Sequence, residues 1–92
     1  MYGLINKLTA QVGSRDELAD IMSAGTQNMP NCKSYVIAKC ASDENLLWIT
    51  EVWTDKESHQ ASLQLPSVQE AIAKGRPLVA GMECVATTTP VE

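Results

Sequence analysis

The sequence has no phenylalanine, only one histidine, and no apolar run approaching the roughly 20 residues that cross a membrane. Its first residues lack the basic-then-apolar pattern of a signal peptide, which predicts a cytoplasmic protein. A single histidine excludes a histidine-rich metal centre. Cys32, Cys40 and Cys84 include no C-x-x-C pair, so we expect free thiols rather than disulfides or a zinc site. The sequence therefore predicts neither a metal nor another cofactor.

Positive charge is also scarce, with 7 Lys and Arg against 11 Asp and Glu and a net charge of −4. The basic residues are scattered singly, which excludes the basic face that nucleic acids or anionic membranes require. The 92 residues predict one domain over 1–92. A chain this short buries a modest share of its surface, so association with a second copy would help to stabilise it.

Hydrophobic periodicity, together with the glycine, proline and capping residues that mark the ends of elements, predicts four strands and three helices. The first helix begins at a capping box at 14–17, and a second capping box at 54–57 opens the next one. Met29-Pro30-Asn31 ends the first helix, and Asn31 can adopt the positive φ of a tight turn. Gly75 ends the third helix, and a loop follows at 77–81. The expected strands are 2–11, 33–40, 46–53 and 82–89, and the expected helices are 14–28, 54–63 and 66–75.

This order predicts an α+β, ferredoxin-like (βαββαβ) fold with a four-stranded antiparallel sheet. The third strand, LLWITEVW, has apolar residues at both its odd and its even positions, so we expect both of its faces to be buried. Helices of one chain cover one face, and we expect an identical sheet to cover the other in a homodimer. The alternative is that Leu47 and Trp53 lie under a long loop.

Several short motifs resemble one family. Residues 51–55, E-V-W-T-D, followed by a helix with His59 and Ser62, resemble the E-x-W-x-(D/S) signature of antibiotic biosynthesis monooxygenase domains. The segment 29–35, M-P-N-C-K-S-Y, is similar to the family's P-G-C motif, with Asn31 in place of glycine. Residues 57–63, 65–66 and 75–81 resemble one bacterial subgroup, so the resemblance covers nearly the whole chain.

The resemblance implies a dimeric α+β barrel with a pocket between sheet and helices in each protomer. Characterised relatives oxidise quinols or polycyclic phenols with O2 without metal or flavin, and others degrade haem. Haem degraders have an Asn at the position of Asn6, with a Trp and a His on the helices. Ser62 and Ile72 occupy those helix positions here, so the axial ligand is missing and we discount haem degradation.

Cofactor-free oxygenation needs a group that accepts a phenolic proton and a dry apolar cleft that holds the ring. His59 is the natural proton acceptor near neutral pH. Asn6 lies between Leu4 and Leu8 on an apolar strand face, where a buried amide needs a partner such as a substrate oxygen. The alternatives are an exposed helical histidine and an amide bonded to neighbouring backbone.

Four further residues are candidate substrate contacts. Ser62 shares the helix side of His59, and Arg76, fixed in a loop before Pro77, could stabilise an anionic oxygen or simply favour a helix C-terminus. Tyr35 and Trp48 could contact an aromatic ring, although such side chains more often belong to a core or an interface. Glu51 is expected to make a buried hydrogen bond at the subunit interface.

The leading hypothesis is a cofactor-independent monooxygenase of a small quinol or polycyclic phenol, in which His59 and Asn6 orient and deprotonate the ring. The partners would be a second copy, a small aromatic substrate and O2. Two alternatives stay open: a non-catalytic dimeric module that binds a small hydrophobic metabolite, and a proton-shuttling isomerase on the same fold.

Overall fold

The computed structural model describes residues 1–91 and gives the predicted element order. The elements are β1 (Tyr2–Ala10), α1 (Arg15–Gly25), β2 (Cys32–Lys39), β3 (Leu46–Trp53), α2 (Lys56–Ser62), α3 (Pro66–Gly75), a 3-10 turn (Arg76–Leu78) and β4 (Val79–Thr88). The strands form one antiparallel sheet in the order β2-β3-β1-β4. This arrangement confirms the α+β, ferredoxin-like prediction. Among residues 1–91 no helix is long and apolar enough to span a membrane.

Side-chain parity divides the sheet into two faces. On β3 the odd positions Leu47, Ile49 and Trp53 are at most 1% exposed. They pack against Leu18 of α1 and Val68 of α3, so both helices lie over the same face. We call it the covered face, and the opposite one the open face.

The open face carries the other parity of each strand. Thr50 of β3 pairs with Ile5 of β1 and with Val36 of β2, which makes one row across the sheet. Trp48 and Val52 flank this row and are half-buried, and Val36 is 50% exposed. No helix among residues 1–91 packs over this face. It is therefore an apolar surface without cover from its own chain.

Two predicted boundaries were wrong by three residues, and the others differ by at most two. Helix α1 ends at Gly25 instead of residue 28, because Asn28 adopts a φ of 56° that no right-handed helix continues through. Strand β4 begins at Val79, inside the predicted loop 77–81, because Val79 pairs with Ala10 of β1. The expected positive φ of Asn31 is confirmed at 62°.

The predicted capping boxes also differ from the observed helix starts. Ser14 precedes α1, but its side chain makes no capping hydrogen bond. At α2 the capping residue is Asp55 rather than Thr54, and its Oδ1 accepts a 2.7 Å hydrogen bond from the Ser58 backbone N–H. Hydrogen bonding by the Ser58 side chain, and then this backbone bond, lower the pKa of the Asp55 carboxyl, as expected for a carboxylate that caps a helix N-terminus. The cap fixes the start of the helix that carries His59.

Helices α1 and α3 approach each other very closely at one glycine. A side chain at Gly25 would collide with Ala71 Cβ and with the Ser67 carbonyl oxygen of α3. One turn further along α3, Gly75 lies against Leu18 of α1. Only glycine permits this close spacing of α1 and α3.

Candidate functional site

Asn6 is placed under the helices by the alternation of β1. It is 6% exposed, and its Nδ2 donates a 2.8 Å hydrogen bond to Glu51 Oε2 on β3. Its Oδ1 accepts no hydrogen bond from residues 1–91 and lies in a residue that lines a cavity. The amide is thus half satisfied by the protein, and its carbonyl oxygen can accept a hydrogen bond from a ligand hydroxyl.

Glu51 is the acidic residue at the centre of the site. It is 6% exposed, and its Oε1 accepts a 3.0 Å hydrogen bond from Trp53 Nε1. A buried carboxylate needs such donors, because it has lost its hydration. The expectation of an interfacial position was wrong, since Glu51 lies on the covered face and bonds within its own chain. The sequence pattern contained a signal for this position. Glu51 lies on the same face of β3 as Trp53, and Asn6 lies on that face of the neighbouring strand β1.

His59 extends from α2 toward this carboxylate. Its Nε2 lies 3.8 Å from Glu51 Oε1, too long for a good hydrogen bond but within ion-pair distance when the imidazole is protonated. The ring contacts Trp53 edge-on at a centroid distance of 5.6 Å, and Tyr2 at 5.9 Å. The imidazole is therefore held between two aromatic rings and beside a buried negative charge.

Three of the other predicted substrate contacts, Ser62, Tyr35 and Trp48, lie in different surroundings. Ser62 is 5% exposed, and its hydroxyl donates to the His59 carbonyl oxygen within α2. Burial, and then the Glu51 charge, raise the pKa of the Tyr35 phenol. Trp48 lies on the open face and does not line the cavity, so the expected substrate contact of Trp48 does not apply to this site.

A cavity of about 520 Å³ lies between the covered face and the helices. This volume falls in the range of about 300–1,000 Å³ typical of small-molecule pockets. Five of the six predicted site residues line it. Those are Asn6, Tyr35, His59, Ser62 and Arg76, and Glu51 and Trp53 line it with them. Most other lining residues are aliphatic.

The cavity reaches solvent on one side. Its exposed lining residues come from the C-terminal end of α2, from α3 and the turn after it, and from the edge strand β4. We call this group the mouth: Leu63, Ile72, Arg76, Met82 and Cys84. The polar groups of Asn6 and Glu51 lie at the buried sheet wall of the cavity, and Asn6 pairs with Cys84 of the mouth across β1 and β4.

Metal-binding side chains do not cluster in this site. Within residues 1–91 no group of three or more His, Cys, Asp or Glu side chains is arranged to hold a metal ion. Proton transfer, hydrogen bonding and the exclusion of water are the chemistry that Asn6, Glu51 and His59 can supply.

The fold and this cavity define a class: a small ferredoxin-like α+β domain with a largely apolar ligand pocket between its sheet and its helices. The profile of the antibiotic biosynthesis monooxygenase family matches residues 1–74. The chain therefore belongs to that family, as its motifs predicted. No curated protein matches the sequence significantly.

Solved structures agree with this assignment. A candidate antibiotic biosynthesis monooxygenase from Chloroflexus aurantiacus is 53% identical, with a TM-score of 0.95 over 99% of this chain and 93% of its own. One from Deinococcus radiodurans is 23% identical, with a TM-score of 0.82 over 100% and 94% of the two chains. One from Nitrosomonas europaea is 10% identical, with a TM-score of 0.89 over the whole of both chains. The last two show likeness of fold alone.

Proposed function

We propose that this protein is a cofactor-independent monooxygenase that oxidises a small quinol or polycyclic phenol with O2. The observation that carries the proposal is the buried Glu51 carboxylate at the cavity wall, 3.8 Å from His59 and hydrogen-bonded to Asn6. A proton acceptor backed by a buried anion, inside a largely apolar cavity, is the combination that deprotonation of a phenol requires.

In the proposed reaction His59 accepts the phenolic proton. The imidazolium that forms is stabilised by Glu51, which is already oriented by its bonds from Asn6 and Trp53. Asn6 Oδ1 accepts a hydrogen bond from a second hydroxyl and so orients the ring. The resulting electron-rich anion reduces O2: one oxygen atom replaces a ring hydrogen, and the other leaves as water with the proton that His59 returns. The substrate supplies all four electrons, and a quinol thereby becomes a hydroxyquinone.

The proposal includes a homodimer. The open face exposes Val36 and leaves Ile5, Trp48 and Val52 half-buried, without a helix over them. An apolar sheet face of this kind is best covered by an identical one, because a two-fold axis then pairs the same surface twice. The cavity lies on the opposite face, so each protomer would have its own site.

One observation favours a second candidate, a non-catalytic module that binds a small hydrophobic metabolite. Both oxygens of Glu51 already accept hydrogen bonds, and the Ser62 hydroxyl is used within its helix. A cavity with so few free polar groups can bind a ligand and leave it unchanged.

The test measures O2 consumption by metal-stripped protein with naphthalene diols and anthrone-like phenols. We expect uptake matched by an oxygenated product, and a loss of about a hundredfold in kcat for His59→Gln. Gln60→Ala, an exposed neighbour on α2, is the matched control and should keep full activity. Binding without turnover would support the binding module, and turnover under strict anaerobiosis would support an isomerase. Either result would reject the monooxygenase.

A further inference from the structure

The mouth of the cavity is unusual in its chemistry. Leu63, Ile72 and Met82 are 43%, 44% and 67% exposed, and all three line the cavity. Single exposed aliphatic side chains are common. Several of them around one opening indicate a surface that binds an apolar ligand or partner. Here the apolar surface is continuous with the interior of the ligand site.

The polar groups lie deeper in the same space, beginning one strand in from the mouth. Asn6 and Glu51 are each 6% exposed, and they belong to β1 and β3 in the middle of the sheet. Met82 belongs to β4 at the sheet edge, and Ile72 to α3. Because Asn6 pairs with Cys84 and Leu8 with Met82, a ring bonded to Asn6 lies about one strand spacing from the mouth, and a substituent on that ring can reach the aliphatic side chains there.

We propose that the substrate carries an aliphatic chain on its ring, and that this chain leaves the cavity between Leu63, Ile72 and Met82. The inference rests on the proposed function, because the ring must first occupy the cavity with its hydroxyls at the buried wall. Leu63, Ile72 and Met82 then act as specificity residues that favour alkylated over bare rings. Arg76 fits this arrangement, since it lines the cavity and is exposed, so its charged end can stay in water.

Binding can be measured without turnover by using oxidised ligands. Trp53 lines the cavity, so its fluorescence should be quenched when a quinone enters. The probes are naphthoquinones that carry a methyl, a pentyl or a decyl chain. We expect Kd to fall by about two- to fourfold for each methylene that contacts the mouth. The gain should stop once the chain extends beyond the rim.

The variants are Ile72→Ser and Met82→Ser, singly and together, with Val12→Ser as the control. Val12 is 85% exposed and lies outside the cavity. We expect the double variant to lose the dependence on chain length while it still binds the methyl compound. The control should preserve the whole series.

Three results would overturn the inference. The wild-type protein would bind all three quinones equally; or the variants would weaken all three equally; or sedimentation would show that the variants change the oligomeric state, which would make the mouth a subunit contact. Parallel O2-uptake assays on the reduced probes separate the two proposals. A chain-length series in Kd without O2 uptake rejects only the monooxygenase, and O2 uptake without the series rejects only the aliphatic chain.

Discussion

The two faces of the sheet are formed by the same four strands, but their side chains are covered in different ways. On the covered face even the polar residues Asn6 and Glu51 find partners inside the chain. On the open face apolar side chains such as Trp48 and Val36 have no helix over them. The comparison teaches that the covered face packs within a single copy, whereas the open face leaves apolar side chains that the proposed dimer would cover.

The largest expected effect tests the covered face through Leu47, which is fully buried on β3. Leu47→Ala removes apolar contacts with the α1 side of the core and leaves a cavity. We expect the free energy of unfolding to fall by about 2–5 kcal/mol. Urea denaturation should give this loss at every protein concentration. A loss that shrinks as the concentration rises would show that Leu47 belongs to an interface.

The second prediction concerns the polar centre of the same face. Glu51→Gln keeps the size of the side chain but removes the charge 3.8 Å from His59. We expect kcat for a quinol to fall by about a hundredfold, because an imidazolium formed at His59 would lose its stabilising anion. Circular dichroism should report an unchanged fold. Near wild-type turnover in the folded variant would remove Glu51 from the mechanism.

The third prediction tests the open face with Trp48, the residue after Leu47. Trp48→Ala should weaken the proposed dimer by about tenfold or more, as large aromatic side chains dominate many interfaces. Sedimentation equilibrium measures this directly, and Val12→Ala is the control on an exposed loop. We expect any loss of stability to depend on protein concentration. Monomeric wild-type protein would contradict the contrast between the faces.

The smallest effect is a pH dependence that arises from Tyr35 on the covered face. Burial raises the pKa of its phenol above the ordinary value of about 10. Because the folded state favours the neutral phenol, its contribution to stability is present at neutral pH and is lost as the pH rises above that value. Urea denaturation of Tyr35→Phe should therefore show less alkaline destabilisation than the wild-type protein. Equal alkaline slopes would place the phenol in water.

Local sequence signals predicted most of the fold. The bounds of β3 and α3 match the observed ones, because apolar runs, Pro66 and Gly75 mark them within the segment itself. One of the larger errors occurs where a distant contact decides the boundary. Strand β4 starts early because Val79 pairs with Ala10, nearly seventy residues away in the chain. Such pairing leaves no trace in the local pattern.

The site was predictable in part for the same reason. Asn6 and His59 could be identified individually, one as a polar residue on an apolar face and the other as the lone histidine. The importance of Glu51 depends on three residues from β1, β3 and α2 converging on one carboxylate. The alternation of side chains along β3 identified the sheet face on which Glu51 lies, but nothing in the sequence predicted its distances to these three residues.

Gly25 has a consequence for how the cavity can vary. The absence of a side chain there lets α3 rest directly against α1, and both helices contribute residues to the lining of the cavity. An alanine at this position would force the two helices apart and so change the distances between those lining residues. The volume available to a ligand is thus adjustable from the outer layer of the molecule, without altering any residue that a ligand would touch.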